Sequence, residues 1–139
     1  MYFFGKKSQD NLDTCDPEII LLCEEVIEII DISILCGHRN EQDQTIAFNE
    51  KRSKVVWPNS NHNVIPSDAV DVAPYPINWG ESGTSRERMI ALHRFYHMWG
   101  LFQAIAYDKN IKIRWGGDWD RDNDFFDQKF NDLVHIEKI

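Results

Sequence analysis

The chain has 139 residues, of which 42% are hydrophobic and 12% aromatic, and its formal net charge is −8. This size and composition suit one domain with its own hydrophobic core and exclude a disordered chain. The negative charge argues against a nucleic-acid partner, because non-specific affinity for the phosphate backbone comes from Lys and Arg. No run of ~18 apolar residues occurs, so we expect no membrane insertion.

The N-terminal segment and the cysteines indicate the cellular compartment in which the chain folds. Residues 1–7 carry their charge after the apolar residues, and no apolar region follows, which is not typical of a secretory signal. The three cysteines, Cys15, Cys23 and Cys36, form no CxxC pair. An odd count without such a pair predicts free thiols in a reducing compartment rather than a disulfide framework.

The first part of the chain predicts a helix followed by a strand. Residues 1–15 are polar after a short aromatic start, and we expect an irregular N-terminal arm. Asp-Pro-Glu at 16–18 is a typical helix start, with a capping Asp, a Pro at the first helical position and an acid in the first turn. Apolar residues then recur at helical spacing to about residue 30. Alternation over 32–36 predicts a strand.

The middle of the chain predicts a short helix and a long loop. Asn40 can cap a second helix over 41–50, with Ile46 and Ala47 facing inward. Residues 51–67 are rich in charged residues, Asn, Ser and Pro and predict a loop. A loop of this length in a small domain is usually functional or mobile.

A strand and a long helix are predicted next. Residues 69–73 alternate as a strand, with Asp71 on the face opposite to the valines. Thr-Ser-Arg-Glu at 84–87 fits a capping box, and helical periodicity continues to about residue 107. Gly100 lies inside this helix, where it would permit close packing against a neighbour.

Two more strands complete the predicted fold. Residues 111–115 alternate between apolar and basic side chains, and residues 133–136 form a short apolar strand after an acidic loop. The element order predicts one α+β domain over residues 1–139, with a small antiparallel sheet and flanking helices.

Asp71 is the residue that most needs a chemical explanation. A strand rarely places a carboxylate among valines and alanines unless its charge is compensated, and a metal ion would do so. His62 lies nine residues earlier in a polar turn, and His135 lies in the last strand. Two imidazoles and one carboxylate suit a divalent ion such as zinc, with a position open for water. Spacing alone equally allows an exposed His62, a capping Asp71 and a packed His135.

Other residues could act beside such an ion. Asp132, three residues before His135, could be a general base if the chain turns between them, or a solvated residue at a strand entrance. Arg39 follows the first strand and could bind an oxyanion or a substrate carboxylate, or form a surface ion pair. Trp115 and Trp119 could line a cleft or pack in the core.

Several familiar patterns are incomplete in this chain. His93 and His97 lie at i and i+4 on the long helix, but Arg94 stands where a zincin has Glu. The acidic run that begins at Asp118 has Asn123 and Lys129 where a calcium-binding EF-hand loop requires Gly and Glu. This excludes an EF-hand and leaves a looser calcium contact open. No serine-hydrolase, phosphate-loop or dinucleotide motif occurs.

In combination, the segments resemble the zinc metallopeptidase family of D,D-carboxypeptidases and phage L-alanyl-D-glutamate endolysins, whose fold is shared with the hedgehog signalling domain. The matching segments are Gly37-His38-Arg39, Ser60-x-His62 with Ala69-Val70-Asp71, Trp115-Gly116-Gly117-Asp118-Trp119, and Asp132-x-x-His135. The common family form S-x-H-x-x-G-x-A-x-D has seven residues from His to Asp. Here the spacing is nine, with Pro66 in place of the Gly turn. The pattern is similar to that of a phage subgroup with an Asp-Val-Ala-Pro-Tyr-Pro run.

The resemblance implies a hedgehog/D,D-peptidase-like fold and an activity, namely hydrolysis of the peptide stem of bacterial peptidoglycan. The enzyme would be an L-alanyl-D-glutamate endopeptidase or a D,D- or L,D-carboxypeptidase. It would be a monomer that remains in the host bacterial cytoplasm until a holin partner releases it to the cell wall. The implied site comprises Zn²⁺ on His62, Asp71 and His135, Asp132 as catalytic base, Arg39 at the oxyanion and Ser60 at a substrate carboxylate.

Two other functions fit part of the pattern. A zinc-stabilised, non-catalytic binding module of hedgehog type would bind the metal but would not need Asp132 as a base. A non-haem iron enzyme also uses two histidines and one carboxylate. That class usually needs a double-stranded β-helix, and this chain predicts too few strands for it.

Overall fold

The computed structural model describes residues 1–139. The chain forms four helices, one sheet of four strands and a short 3-10 turn at Asn61–Asn63. The elements in chain order are α1 (Lys6–Leu12), α2 (Pro17–Ile27), β1 (Ile32–Cys36), α3 (Glu41–Asn49), β2 (Ala69–Pro74), α4 (Ser85–Asp108), β3 (Ile113–Gly116) and β4 (Asp132–Lys138). The four strands pair antiparallel in the order β1-β2-β4-β3. The predicted α+β class with a small antiparallel sheet is confirmed. None of the helices combines the length and apolar character needed to span a lipid bilayer.

The N-terminal segment was wrongly predicted as an irregular arm. Residues Lys6–Leu12 form α1. Asn11 Nδ2 donates to Ile34 O at 2.9 Å, which attaches this helix to β1. Leu12 is the one buried residue of the helix. A helix with a single inward residue shows no apolar periodicity, which is why the sequence did not predict it.

Local signals placed the starts of the two longer helices correctly, although α2 ends at Ile27, before the predicted end near residue 30. Asp16 caps α2 by accepting from Glu18 N at 2.9 Å. At the start of α4, Thr84 Oγ1 accepts from Glu87 N at 3.2 Å, and Glu87 Oε2 accepts from Thr84 N at 2.6 Å. Both caps satisfy backbone N–H groups that have no partner inside the helix.

The register of β4 explains how Asp132 and His135, which are three residues apart, face the same side of the sheet. Trp115 of β3 pairs with Ile136, but the next residue, Gly116, pairs with Asp132. Residues 133–135 therefore bulge out of the β3–β4 ladder. Residues three apart face opposite sides of a regular strand. The bulge removes this constraint, and Asp132 and His135 line the same cleft.

The core lies between the helices and one face of the sheet. Val70, Val72 and Ile136 are buried there, as the strand alternation predicted. Trp115 is fully buried and stacks on Trp99 with ring centroids 5.5 Å apart. Of the two interpretations of Trp115, the structure supports core packing.

Two expectations about helix faces were wrong. Ile46 is 41% exposed, whereas Gln44 on the same helix is fully buried and Ala47 faces inward as expected. α3 has too few apolar residues for the pattern to define its inner face. A side chain built at Gly100 would meet nothing within 4 Å, so this glycine serves no close packing.

Candidate active site

The three predicted ligands converge at one end of the sheet. His62 Nε2 lies 3.1 Å from Asp71 Oδ1 and 3.2 Å from His135 Nδ1, and His135 Nδ1 lies 3.4 Å from Asp71 Oδ1. Donor atoms at zinc-ligand distances from one tetrahedral ion are separated from each other by about 3.3 Å. The two nitrogens and the carboxylate oxygen therefore fit a zinc ion in both chemistry and spacing.

Strand pairing produces this convergence. Asp71 lies directly opposite His135 in the β2–β4 ladder and opposite Cys36 in the β1–β2 ladder. Directly opposite residues in antiparallel strands place their side chains on the same face, about 5 Å apart at Cβ. Strand pairing thus brings Asp71 and His135 together although they are far apart in the sequence.

His62 is held with one defined nitrogen toward the other ligands. Its Nδ1 lies 2.7 Å from Gly37 O. A carbonyl oxygen only accepts, so Nδ1 carries the proton of this hydrogen bond and Nε2 can offer a lone pair. Burial lowers the pKa of His62, but the charge of Asp71 outweighs burial and raises the pKa to about 10. Binding a cation at Nε2 would therefore release a proton.

The 3-10 turn that carries His62 is capped by Ser60. Ser60 Oγ accepts from His62 N at 3.2 Å, and Ser60 N donates to Asn63 Oδ1 at 3.0 Å. The hydroxyl is thus engaged as an acceptor at the rim of the cleft. Its own O–H proton remains available to a bound molecule.

The longer spacing between His62 and Asp71 does not displace the ligands. The loop is closed at its base, where Asp68 N donates to Asn61 O at 3.1 Å. The added residues lie beyond this closure, and Ile65 is 81% exposed. The extra length therefore extends into solvent.

Arg39 contacts the side of Asp71 that faces away from the histidines. Its Nη2 lies 3.3 Å from Asp71 Oδ2, and its Nη1 donates to Gln44 Oε1 at 3.1 Å. The guanidinium is mostly buried. This ion pair stabilises the carboxylate charge of Asp71. Burial raises the pKa of Asp71, but the charge of His62 and the hydrogen bonds with both histidines outweigh burial and hold the pKa well below its usual range.

Asp132 is a half-buried carboxylate in the same cleft. Burial raises its pKa, and the negative charge of Asp71 raises it further, against the opposing effect of the nearby cations. No protein group donates a hydrogen bond to its side chain. A carboxylate with free acceptor capacity and an elevated pKa is suited to take a proton from water and return it.

The site lies in a cleft of about 670 Å³. Trp119 stacks on Phe130 with centroids 6.3 Å apart and forms part of its wall, and Lys54 Nζ lies 5.0 Å from the Phe130 ring centroid. Five cationic side chains line the cleft: Arg39, Lys51, Arg52, Lys54 and Arg114. Asp71, Asp132 and Glu137 also line the cleft, and all three arginines are paired with carboxylates. The two unpaired lysines, Lys51 and Lys54, are therefore the charges that favour an anionic ligand.

Comparison with known proteins shows the family and the fold of the chain. A family described as phage L-alanyl-D-glutamate peptidase matches residues 1–139. The chain belongs to this family. It is 27% identical over 130 residues to the L-alanyl-D-glutamate peptidase of Escherichia phage T5, which spans 90% of this chain and 87% of the phage T5 protein. The crystal structure of the Serratia marcescens L-Ala D-Glu endopeptidase ChiX covers 99% of this chain and 91% of its own, with a TM-score of 0.71 and 17% identity, and shows the same fold.

Membership of the phage L-alanyl-D-glutamate peptidase family confirms the resemblance found in the sequence and identifies the chain as a peptidase. The structure adds Cys36, which the sequence did not predict at the site. Atoms of Cys36, His62 and Asp71 that could bind a metal lie within 4.8 Å of one another. The peptidase therefore has a group of candidate metal ligands. Cys36 could have been found only by knowing that β1 pairs with β2.

Gln44 is the second residue of the site, after Cys36, that was not predicted from the sequence. It is fully buried, and its carbonyl accepts from Arg39 Nη1 and from Asn63 Nδ2, both at 3.1 Å. Its amide donates to Ser53 Oγ at 2.9 Å and to Val55 O at 2.7 Å. Gln44 thus joins Arg39, the turn that carries His62 and the cationic loop. No sequence pattern marks a buried glutamine.

Other titratable residues considered in the sequence lie outside the site of the peptidase. His93 and His97 are exposed on α4. Asp118 is buried, and its carboxylate accepts from Asp122 N at 3.2 Å and from Asn123 N at 3.1 Å, which organises the acidic loop.

Proposed function

We propose that this peptidase uses a zinc ion held by His62, Asp71 and His135 to hydrolyse the L-alanyl-D-glutamate bond in the peptide stem of bacterial peptidoglycan. The observation that carries the proposal is the convergence of three donor atoms at separations of 3.1–3.4 Å beside Asp132. The names of the phage T5 and S. marcescens relatives support the choice of bond.

The residues of the chain divide the chemistry among them. When bound, zinc supplies Lewis acidity, which lowers the pKa of a water molecule towards ~7 and polarises a carbonyl. Asp132 would take the proton of the attacking water and return it to the leaving amine. Two nitrogens of Arg39 donate hydrogen bonds to Asp71 and Gln44. The remaining N–H groups of Arg39 would donate to the developing oxyanion.

The charge of the cleft supports an acidic peptide substrate. A glutamate that forms a peptide bond through one carboxyl group retains the other as a free anion. Lys51 and Lys54 form no ion pair with a carboxylate of the chain and line the cleft. We assign these lysines and the Ser60 hydroxyl to binding substrate carboxylates.

Digestion of purified peptidoglycan followed by mass spectrometry tests the proposed bond. Cleavage between L-alanine and D-glutamate gives soluble peptides that begin with D-glutamate, and leaves L-alanine on the glycan strands. A carboxypeptidase would instead release single D-amino acids and leave the stems attached. Release of single D-amino acids would overturn the proposal. The absence of any product with zinc-loaded protein would also overturn it, and would favour a non-catalytic zinc module.

The metal is tested separately from the bond. The purified protein should contain one zinc per chain by atomic absorption, and His62→Ala, Asp71→Ala and His135→Ala should each fall well below that value. A full zinc complement in any of these variants removes that residue from the site. Removal by a chelator should abolish cleavage, and added zinc should restore it.

We further propose that the peptidase is a monomer that stays in the host cytoplasm until a holin gives it access to the wall. Light scattering of the purified protein tests the first part. Expression in a bacterium, with and without a permeabilised inner membrane, tests the second. Lysis without permeabilisation would contradict it.

A further inference from the structure

Glu137 is a buried carboxylate close to the proposed metal ligands, and the mechanism above does not use it. Its side chain is 6% exposed. Oε1 accepts from Arg114 Nε at 2.9 Å and from Arg114 Nη2 at 2.6 Å. Oε2 accepts from Asn61 Nδ2 and lies 3.4 Å from His135 Nε2. Both oxygens thus have two neighbouring donors, as a buried charge requires.

We propose that Glu137 is a positioning residue that fixes the orientation and tautomer of His135 and joins it to the turn carrying His62. This inference rests on the proposed zinc function. It assigns Glu137 no contact with the ion and has it act through His135.

The contact with His135 decides which ring nitrogen faces the other ligands. Glu137 Oε2 is the acceptor that the structure places at Nε2, and a carboxylate oxygen can only accept. The proton of a neutral His135 ring is therefore favoured at Nε2. The lone pair is then at Nδ1, the nitrogen that lies 3.4 Å from Asp71 Oδ1 and 3.2 Å from His62 Nε2.

The same carboxylate connects two segments that carry ligands. Asn61, which donates to Oε2, immediately precedes His62 in the sequence. The backbone of Glu137 is fixed opposite Ala69 in the β2–β4 ladder, and Arg114 holds its other oxygen from β3. One anion therefore sets the position of the His62 turn relative to the His135 ring.

A carboxylate behind a ligand imidazole also increases the basicity of the nitrogen that binds the metal. Loss of such a partner typically lowers metal affinity by 10–100-fold. We therefore expect Glu137→Gln to raise the zinc dissociation constant by a factor in this range, measured by competition with a chromogenic chelator. The matched control is Asp16→Asn, which removes a carboxylate paired with Lys138 at 2.9 Å and touches neither histidine. It should change zinc affinity by less than about threefold.

A second variant separates positioning from simple charge balance with Arg114. If Glu137 serves only to neutralise Arg114, the double variant Arg114→Met with Glu137→Gln should regain wild-type zinc affinity. If Glu137 positions His135, the double variant should stay as weak as Glu137→Gln. Nitrogen-15 NMR of the metal-free proteins gives a direct readout: neutral His135 should be protonated at Nε2 in the wild type and mixed between both nitrogens in Glu137→Gln.

Three results would overturn this inference: wild-type zinc affinity in Glu137→Gln, recovery in the double variant, or an unchanged tautomer of His135. The proposed function fails in a different way. If His62→Ala and Asp71→Ala bind zinc as the wild type does, the metal centre itself is wrong. If those variants lose zinc while Glu137→Gln retains it, only the role of Glu137 is wrong.

Discussion

Replacing Asp132 by asparagine tests the proposed base most directly. Asparagine has nearly the same size and removes only the charge and the ability to take up a proton. The side chain of Asp132 accepts no hydrogen bond from the protein, so the substitution breaks none. Burial and the charge of Asp71 raise the pKa of Asp132, which means that its ionised form is disfavoured in the folded chain. Neutralising it should leave the free energy of unfolding unchanged or slightly increased at neutral pH.

The catalytic effect should be large. Proton transfer by a positioned side chain contributes about 10²–10⁴-fold to a rate, or about 2.7–5.4 kcal/mol of activation free energy. The rate of peptide release from purified peptidoglycan should fall by this factor in Asp132→Asn, with one zinc per chain and an unchanged melting temperature. Asp108→Asn, an exposed position at the end of α4, makes the same change in net charge and should keep full activity.

The outcomes distinguish the alternatives for Asp132. A loss of less than tenfold with zinc retained would refute its role as the base. Loss of zinc together with activity would instead make Asp132 a ligand. Retained zinc in an inactive protein of normal stability is the result that the geometry predicts.

Four further predictions follow from particular contacts. Asp71→Ala should lower the free energy of unfolding by about 3–5 kcal/mol in chemical denaturation, because it leaves a mostly buried guanidinium without its partner. Gly100→Ala should raise that free energy by about 0.5–1 kcal/mol, since the position is exposed and helical with space for a methyl group; a loss of stability would contradict the packing described here. Lys54→Ala should raise KM for peptidoglycan fragments several-fold with little change in kcat, and an unchanged KM would remove Lys54 from substrate binding. Asp16→Asn should destabilise the chain by less than about 1 kcal/mol at pH 7. Burial opposes ionisation of Asp16, but its hydrogen bond with Lys138 outweighs burial and lowers the pKa of Asp16. The contribution of Asp16 to the free energy of unfolding is therefore present above its pKa in the unfolded chain and is lost as the pH falls through its pKa in the folded chain. Thermal melts of the wild type and Asp16→Asn should accordingly differ at neutral pH and coincide at strongly acidic pH.

Local chemistry determined which parts of the fold were predictable. The caps at Asp16 and Thr84 are made with residues two and three positions away, so the sequence alone located the starts of α2 and α4. The alternation in β2 marked Asp71 as unusual before any pairing was known. α1 was not predicted, because only Leu12 is buried and the helix depends on contacts with β1.

The site depends on contacts that span the chain, and these had no local signal. His62, Asp71 and His135 were recognised as a set through their residue types and a family pattern. Their separations of 3.1–3.4 Å follow from strand pairing and from the closure of the loop before Asp71. Gln44 and Cys36 were missed because a buried amide and a thiol at a strand end acquire meaning only from their neighbours in space.

The position of β4 has a consequence for the order in which the enzyme is made. β4 is the last strand to be synthesised, yet it lies between β2 and β3, and it carries both Asp132 and His135. During translation the two flanking strands cannot complete their ladders until β4 has left the ribosome. Nascent chains that end before residue 132 should therefore lack both a finished sheet and hydrolytic activity. The architecture itself therefore delays activity until β4 has been synthesised and has paired with β2 and β3.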